Sequence, residues 1–416
     1  MPVTVSVDDV RAAAGRLEGV AQRTPLERSE RLSELLGADV WLKREDLQPV
    51  RSYKLRGAYN FIASLTPTER GEGVVCASAG NHGQGVAFTC RRLGVHGVIV
   101  LPHTTPRQKR ERIKALGGEF TTIVVEGHNY DEAHDAALTL AERDGLVLVP
   151  PFDDARVIAG QATVALEIVE QLGRAPDLLL VPVGGGGLLA GSAVVAVAGV
   201  PQSQVIGVEP AGAASMRAAL EAKEPVTLPQ VDTFVDGAAV RRVGRVTFDL
   251  VQALVDDVVS VDEGSVCSTM LELYQSDGII AEPAGALAVA ALRDAVTVPA
   301  GSTVVCIVSG GNNDVSRYGE IVERSLVHEG LKHYFLVEFP QEPGALRGFL
   351  DRVLGPSDDI TLFEYVKKSN RETGPALVGV EIAAREDLEP LLARMDASGL
   401  HIERVPAGSP AFRFLV

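Results

Sequence analysis

The chain has 416 residues, 46% of them hydrophobic and 23% charged, which suits a soluble globular protein with a sizeable core and gives length for two or three domains. A net charge of −16 argues against a broad nucleic-acid or anionic-membrane surface and leaves small molecules and further copies of the chain as expected partners. Cys76, Cys90, Cys267 and Cys306 are isolated in apolar contexts with no CxxC pair, so they read as buried hydrophobes in a reducing compartment.

The first stretch, MPVTVSVDDVRAAAGR, has no basic segment followed by an apolar core, so no secretory signal is expected and the cytoplasm is the expected location. From about residue 39 to 325, short β-branched runs alternate with amphipathic stretches. ADVWLK (38–43) comes first. In VRSYKLRGAYN (50–60), Ser52 can cap a helix that carries Leu55, Ala58 and Ile62 at helical spacing. Lys54 in the first turn is unfavourable there, because a helix start already carries partial positive charge. Two readings stay open: an exposed lysine whose small cost is tolerated, or a lysine that loses its charge by forming a Schiff base.

Further strands are expected at GVVCAS (73–78), HGVIVLP (96–102), TTIVVEG (121–127), GLVLVP (145–150), DLLLVPV (177–183), QVIGVE (204–209) and TVVCIVS (303–309). Helical patterns lie between most of them. One is 106–116, with Thr105 as cap and Pro106 at the first helical position. LLAGSAVVAVAGV (188–200) is too short to span a bilayer and reads as a buried helix. This alternation predicts a mostly parallel sheet covered on both faces, whose ligands bind at the carboxyl ends of strands.

Three such ends stand out. CASAGNHGQGVAF (76–88) ends a strand and opens a helix that Ser78 or Asn81 can cap, with free amides for an anion. A plain capped turn has the same composition. LLLVPVGGGGLLAG (178–191) places Gly184, Gly185, Gly186 and Gly187 between strand and helix, where bare amides can wrap a phosphate. The same segment offers a rival: Gly185, Gly187 and Ala190 match GxGxxA, with Glu209 ending the next strand as a dinucleotide fingerprint requires. VVCIVSGGNND (304–314) puts Ser309 at the same edge, where the residues alone leave it a turn serine.

Other candidates carry less. His82 reads first as a helix-start backbone donor. Glu282 in AEPAGA is either a buried acid near the site or a carboxylate favoured by a helix dipole. Glu209 can ligate a divalent cation, but Ser215 stands where a second carboxylate would help, so no metal site is expected. There is no HExxH, and no Gly-x-Ser-x-Gly elbow to anchor a hydrolase. From His333 the pattern changes to strand, helix, strand, strand, helix, strand, a ferredoxin-like order. The expected boundaries are a catalytic domain over 1–325, a linker over 326–332 and a small domain over 333–416.

SYKLRGA, SAGNHGQG, GGGGL and SGGN, in this order, resemble the fold-type II pyridoxal-phosphate enzymes, and within them the biosynthetic threonine dehydratases. The resemblance runs from about residue 20 to 325. FPQEPGALRGFL, GPSDDITLFEY and GPALVGVEI extend it through a single ACT-like regulatory domain. It implies an α/β, two-lobed catalytic fold with mostly parallel sheets, followed by a ferredoxin-like α+β domain. The family's Schiff-base lysine falls on Lys54, and Tyr53 stands where the family often has Phe. Asn81 would contact the cofactor's 3′-oxygen. The amides of Ser78, Ala79, Gly80, Asn81 and His82 would hold the substrate carboxylate. Gly184, Gly185, Gly186, Gly187 and Leu188 would cradle the phosphate, and Ser309 would bond the pyridine nitrogen. The family's IAGQGT appears as IAGQAT (158–163), which leaves that loop's role open.

The implied chemistry is β-elimination from L-threonine, and from L-serine, giving 2-oxobutanoate or pyruvate with ammonia. A serine at the ring nitrogen keeps the pyridine neutral, which favours loss of the β-hydroxyl over racemisation. Related serine racemases commonly carry Ser where this chain has Ala79, so little racemase activity is expected. The tail implies isoleucine as inhibitor and valine as opposing effector, with Pro343-Gly344 leaving amides free at a helix start. A purely dimerising tail is the alternative. A homo-oligomer is expected, a tetramer in particular. The rival functions are a deaminase without feedback control, a nicotinamide-dependent oxidoreductase built on 184–209, and a non-catalytic amino-acid sensor.

Overall fold

The computed structural model describes residues 5–199, 203–367, 370–406, 409, 411, 412 and 415. The chain forms two units, Met1–Asn313 and Asp314–Val416. The segment 326–332, expected as a linker, holds the end of the helix Tyr318–His328, Gly330 at φ 70 and the first residue of a strand.

In the first unit the strands are β1 (Leu26–Arg28), β2 (Asp39–Arg44), β3 (Val74–Ala77), β4 (Gly97–Leu101), β5 (Thr121–Val125), β6 (Val147–Leu148), β7 (Leu178–Pro182), β8 (Gln204–Pro210), β9 (Asp257–Val261) and β10 (Thr303–Val308). They make two sheets, one ordered β1-β2-β10-β7-β8-β9 and the other β5-β4-β3-β6. All pairings are parallel except β1 with β2. β7 and β10 are buried along their whole length, which explains their continuous apolar runs: a parallel sheet covered on both faces has no polar side. Sequence reasoning did not identify β1 or β9.

The helix Gly187–Gly199 is apolar all round because it is packed into the larger core, beside the helix Ala155–Leu172. Residue 200 of the expected helix lies outside the described residues. The helix expected over 106–116 runs Arg107–Gly117, with Pro106 rather than Thr105 at the N-cap; the Thr105 hydroxyl is buried without a partner. Among the described residues no helix is long and apolar enough to cross a membrane.

The second unit holds β11 (Lys332–Pro340), β12 (Asp359–Tyr365), β13 (Thr373–Glu381) and β14 (His401–Arg404) in an antiparallel sheet ordered β12-β13-β11-β14. Helices Ala345–Arg352 and Leu388–Ala397 connect β11 to β12 and β13 to β14. Phe335, Val337, Phe339, Phe349, Val378 and Leu391 form its core. The ferredoxin-like βαββαβ order expected from the sequence is present. The strand over DITLFEYVKK ends at Tyr365, and residue 368 lies outside the described residues.

Candidate active site

Lys54 is the first residue of the helix Lys54–Ala63. Ser52, expected as its cap, does not serve: Tyr53 occupies the N-cap position, and the Ser52 hydroxyl is buried without a partner. Ser52 instead bridges to Gly310, and the Tyr53 N–H donates to the Ser309 carbonyl at 3.2 Å. The helix start is therefore fastened to the loop after β10.

Farther along, Arg56 fastens the same helix to the core. Its guanidinium donates to both oxygens of Glu45 at 2.8 Å and to Glu167 at 2.7 and 3.0 Å. Lys43 reaches Glu167 from the other side at 2.6 Å, so two cations and two carboxylates close one network. IAGQAT proves to be helical, lying inside Ala155–Leu172. A Cβ on Gly160 would sit 2.6 Å from the Arg56 carbonyl, and Gln161 accepts from the Gly57 N–H at 3.2 Å. The segment's role is close packing against the Lys54 helix.

The partly buried Lys54 amine donates to the Pro151 carbonyl at 3.1 Å. Burial lowers its pKa to about 8, with the Glu282 charge opposing the shift. The neutral amine that a nucleophile or base needs is thus far more accessible near neutral pH than in an ordinary lysine. The residue after Pro151 leads to the glycine run. A Cβ on Gly185 would lie 2.1 Å from the Phe152 ring, and one on Gly187 3.1 Å from the Phe152 Cβ. Gly186 sits at φ +92, with Met216 2.5 Å from where its Cβ would be. The Thr247 hydroxyl donates to the Gly185 carbonyl at 2.7 Å. The loop cannot carry side chains, and it delivers bare amides to the start of the helix Gly187–Gly199. Leu188 is buried in the core, so only its backbone can face a ligand.

After β3, the Gly80 N–H donates to the Ser78 hydroxyl at 3.2 Å, and the helix Asn81–Leu93 begins with Gly80 at its N-cap and no side-chain cap. Asn81, expected as a possible cap, turns its carboxamide elsewhere. It donates to Glu282 at 2.5 Å and accepts from Asn312 at 2.6 Å. His82 is buried, and burial together with the Lys54 charge pushes it down to about 3. The neutral ring meets the Val149 carbonyl at 3.0 Å, so its Nε2 carries the proton. Its imidazole is structural.

The Ser309 hydroxyl is buried and donates to the Ala284 carbonyl at 3.2 Å. Glu282 is 4% exposed, and burial, then the charge of Asp236, push its carboxyl up to about 7. Asp236 pairs with Lys109 at 2.6 Å. The neighbouring Gly237 faces Asn81 and Glu282, its Cβ position 3.9 and 3.8 Å from them. Glu209 is fully buried, with its oxygens accepting from the Met216 and Arg217 amides at 2.7 and 3.0 Å. That occupation leaves no place for it as a ribose-binding acid.

The structure therefore gathers Lys54, Asn81, the 184–187 loop and Ser309 at the carboxyl ends of β3, β7 and β10, while the His82 and Leu188 side chains face away. Pro151, Phe152, Gly237 and Asn312 were missed by sequence reasoning. Asn312 had a signal, since it stands inside the SGGN motif. A carbonyl-bearing, phosphate-bearing cofactor fits this set: an amine of lowered basicity, a cradle that no Cβ can enter, and a buried serine hydroxyl.

Comparison with known proteins agrees with that fit. Residues 17–310 match the family model described as pyridoxal-phosphate dependent enzyme, and residues 323–415 match the C-terminal regulatory domain of threonine dehydratase. The chain is 60% identical over 415 residues to the biosynthetic L-threonine dehydratase of Mycobacterium tuberculosis, covering 99% of this chain and 96% of that one. The processed form of threonine deaminase isoform 2 from Solanum lycopersicum superposes with TM-score 0.72 at 41% identity, over 78% of this chain and 96% of that one. Maize serine racemase gives TM-score 0.72 at 32% identity, over 78% and 99%.

Proposed function

The chain belongs to the pyridoxal-phosphate-dependent enzymes, and within them to the biosynthetic threonine dehydratases; from that premise we propose how its own residues deaminate L-threonine to 2-oxobutanoate and ammonia. Pyridoxal phosphate supplies an electron sink for the charge left on a substrate carbon when its proton departs. Lys54 would hold the cofactor's carbonyl end, and its amine, when free, would be the group that takes the Cα proton. The amides of Ser78, Ala79, Gly80, Asn81 and His82 bind the substrate carboxylate. The amides of Gly184, Gly185, Gly186, Gly187 and Leu188 would hold the phosphate. The Ser309 hydroxyl would turn its one proton from the Ala284 carbonyl to the ring nitrogen, and Asn81 would donate to the 3′-oxygen.

The observation that carries this reading is the Lys54 amine, lowered to about 8 and joined through Pro151 and Phe152 to the glycine cradle. The test is turnover of L-threonine and L-serine, with ketoacid and D-serine measured together. Ketoacid forms from both, and D-serine forms far more slowly, because Ala79 has no proton to give. Racemisation as fast as deamination would overturn the Ala79 argument.

The second unit adds feedback control by an amino acid. A groove of about 800 Å³ is lined by Phe339, Pro343, Gly344, Leu346, Leu350 and Phe363. Gly344, at φ +97, opens the helix Ala345–Arg352 beside it. Amides for a carboxylate and an apolar wall for a branched side chain support isoleucine as inhibitor, with valine opposing it. Isothermal titration is expected to show isoleucine binding that Leu350→Arg weakens at least tenfold. No heat with the native chain would leave a purely dimerising domain. The same reading makes the molecule a cytoplasmic homo-oligomer, a tetramer, in keeping with four buried cysteines, none of them in a disulfide.

A further inference from the structure

The Asn81 carboxamide is held at both ends. Its Oδ1 accepts from Asn312 Nδ2 at 2.6 Å, and its Nδ2 donates to Glu282 Oε1 at 2.5 Å. Asn312 is itself fixed, because the same Nδ2 donates to the Val50 carbonyl at 2.8 Å. These partners decide the orientation of Asn81. Rotated by half a turn, its NH2 would face the Asn312 NH2, which stays on the Val50 carbonyl, so that contact would be lost, and against an ionised Glu282 its oxygen would lose the other contact as well.

Glu282 is placed for this task and not for the local one. It stands at the N-cap of the helix Pro283–Asp294, yet its side chain makes no capping bond. The carboxyl reaches instead to Asn81, 201 residues away in sequence. Its backbone N–H donates to the Gly310 carbonyl at 3.0 Å, and the Asn312 backbone N–H donates to its carboxyl. Gly310 leaves the path open, since a Cβ there would lie 2.1 Å from Glu282 Oε1. Burial brings the acid to about 7, and in either protonation state an oxygen keeps a lone pair for Asn81.

We infer that Glu282 and Asn312 are positioning residues that lock the Asn81 carboxamide in one orientation and leave its second N–H for the cofactor. An amide nitrogen has two N–H groups. One is committed to Glu282, so the other is the only side-chain donor Asn81 can offer a ligand oxygen. The inference rests on the cofactor reading above.

A double-mutant cycle tests it, with cofactor affinity as the readout. The cofactor is removed from the purified full chain and titrated back as pyridoxal phosphate, followed by its visible absorption. Glu282→Leu is expected to weaken binding about tenfold when Asn81 is present, and less than twofold in the Asn81→Ala background. Equal losses in the two backgrounds would overturn the clamp, because Glu282 would then act on the fold alone. If Glu282→Leu does not accumulate as folded protein, the same cycle with Asn312→Ala carries the same two outcomes. Failure of the native chain to bind pyridoxal phosphate at all would overturn the cofactor reading and the clamp together.

Discussion

Lys54→Ala is expected to lose about 10³-fold or more in threonine turnover while keeping its fold and its oligomeric state. The loss follows from chemistry that no neighbour can replace. His82 is neutral and committed to the Val149 carbonyl, and Glu282 is committed to Asn81. Lys54→Arg is expected to be as inactive, since a guanidinium stays protonated in proteins and cannot act as a base or a nucleophile. The visible band of bound cofactor should shift or vanish in both variants. Thermal unfolding supplies the contrasting half of the result. A lysine in a helix's first turn opposes the dipole, so Lys54→Ala should be no less stable than the native chain. Retained turnover in Lys54→Ala would remove the lysine from the mechanism. A large drop in stability would give it a structural role that its position does not suggest.

Arg56→Leu is expected to cost about 3–5 kcal/mol of stability, the range for breaking a buried ion pair from one side. Arg56 is 1% exposed and Glu45 is fully buried, so water cannot replace what the guanidinium supplies. The variant leaves two carboxylates facing Lys43 alone. The pH dependence gives a second check. Burial raises Glu45, but Arg56 and Lys43 beside it more than offset this and hold it below its ordinary 4.5. A carboxyl lowered in the native state adds stability above its unfolded value, lost as pH falls through the native one. In Arg56→Leu that contribution is gone and the desolvation stays. The gap between the two proteins should therefore be widest near neutral pH and close in acid, as the carboxylates take up protons. Trp41 is the single tryptophan and lies in β2 beside Lys43, so its fluorescence during urea unfolding reports the catalytic unit. A gap that stayed the same from pH 7 to pH 4 would mean that lost packing, not lost charge pairing, sets the cost.

Much of the site was legible because its parts are local. A run of apolar residues followed by small ones marks the carboxyl end of a buried parallel strand, and β3, β7 and β10 all end that way. The βαββαβ order of the second unit was legible for the same reason: strand and helix periods alternate cleanly from His333 onward. What stayed hidden depends on contacts between distant segments. The Ser52 hydroxyl looks like a cap in sequence, but the bridge to Gly310 turns it into the interior. IAGQAT reads as a loop until the backbone of the Lys54 helix is seen against Gly160. Asn81 meets Glu282 and Asn312 across 201 and 231 residues, and no periodicity reports that meeting. Gly237 lies in a stretch with neither helix nor strand, so no pattern marked it.

The strand order of the larger sheet bears on how the chain is made. β10, completed only at Val308, lies between β2 and β7 and pairs with both. Until that strand leaves the ribosome, β1 and β2 have no neighbour on their inner side, and the segment around Ser52 and Tyr53 lacks the Ser309–Gly310 turn that fastens it. The helix that carries Lys54 can pack on Ala155–Leu172 and meet Pro151 earlier, but its first turn is tied down only when β10, the last strand of the catalytic unit, slots into the middle of the sheet and brings the Ser309–Gly310 turn.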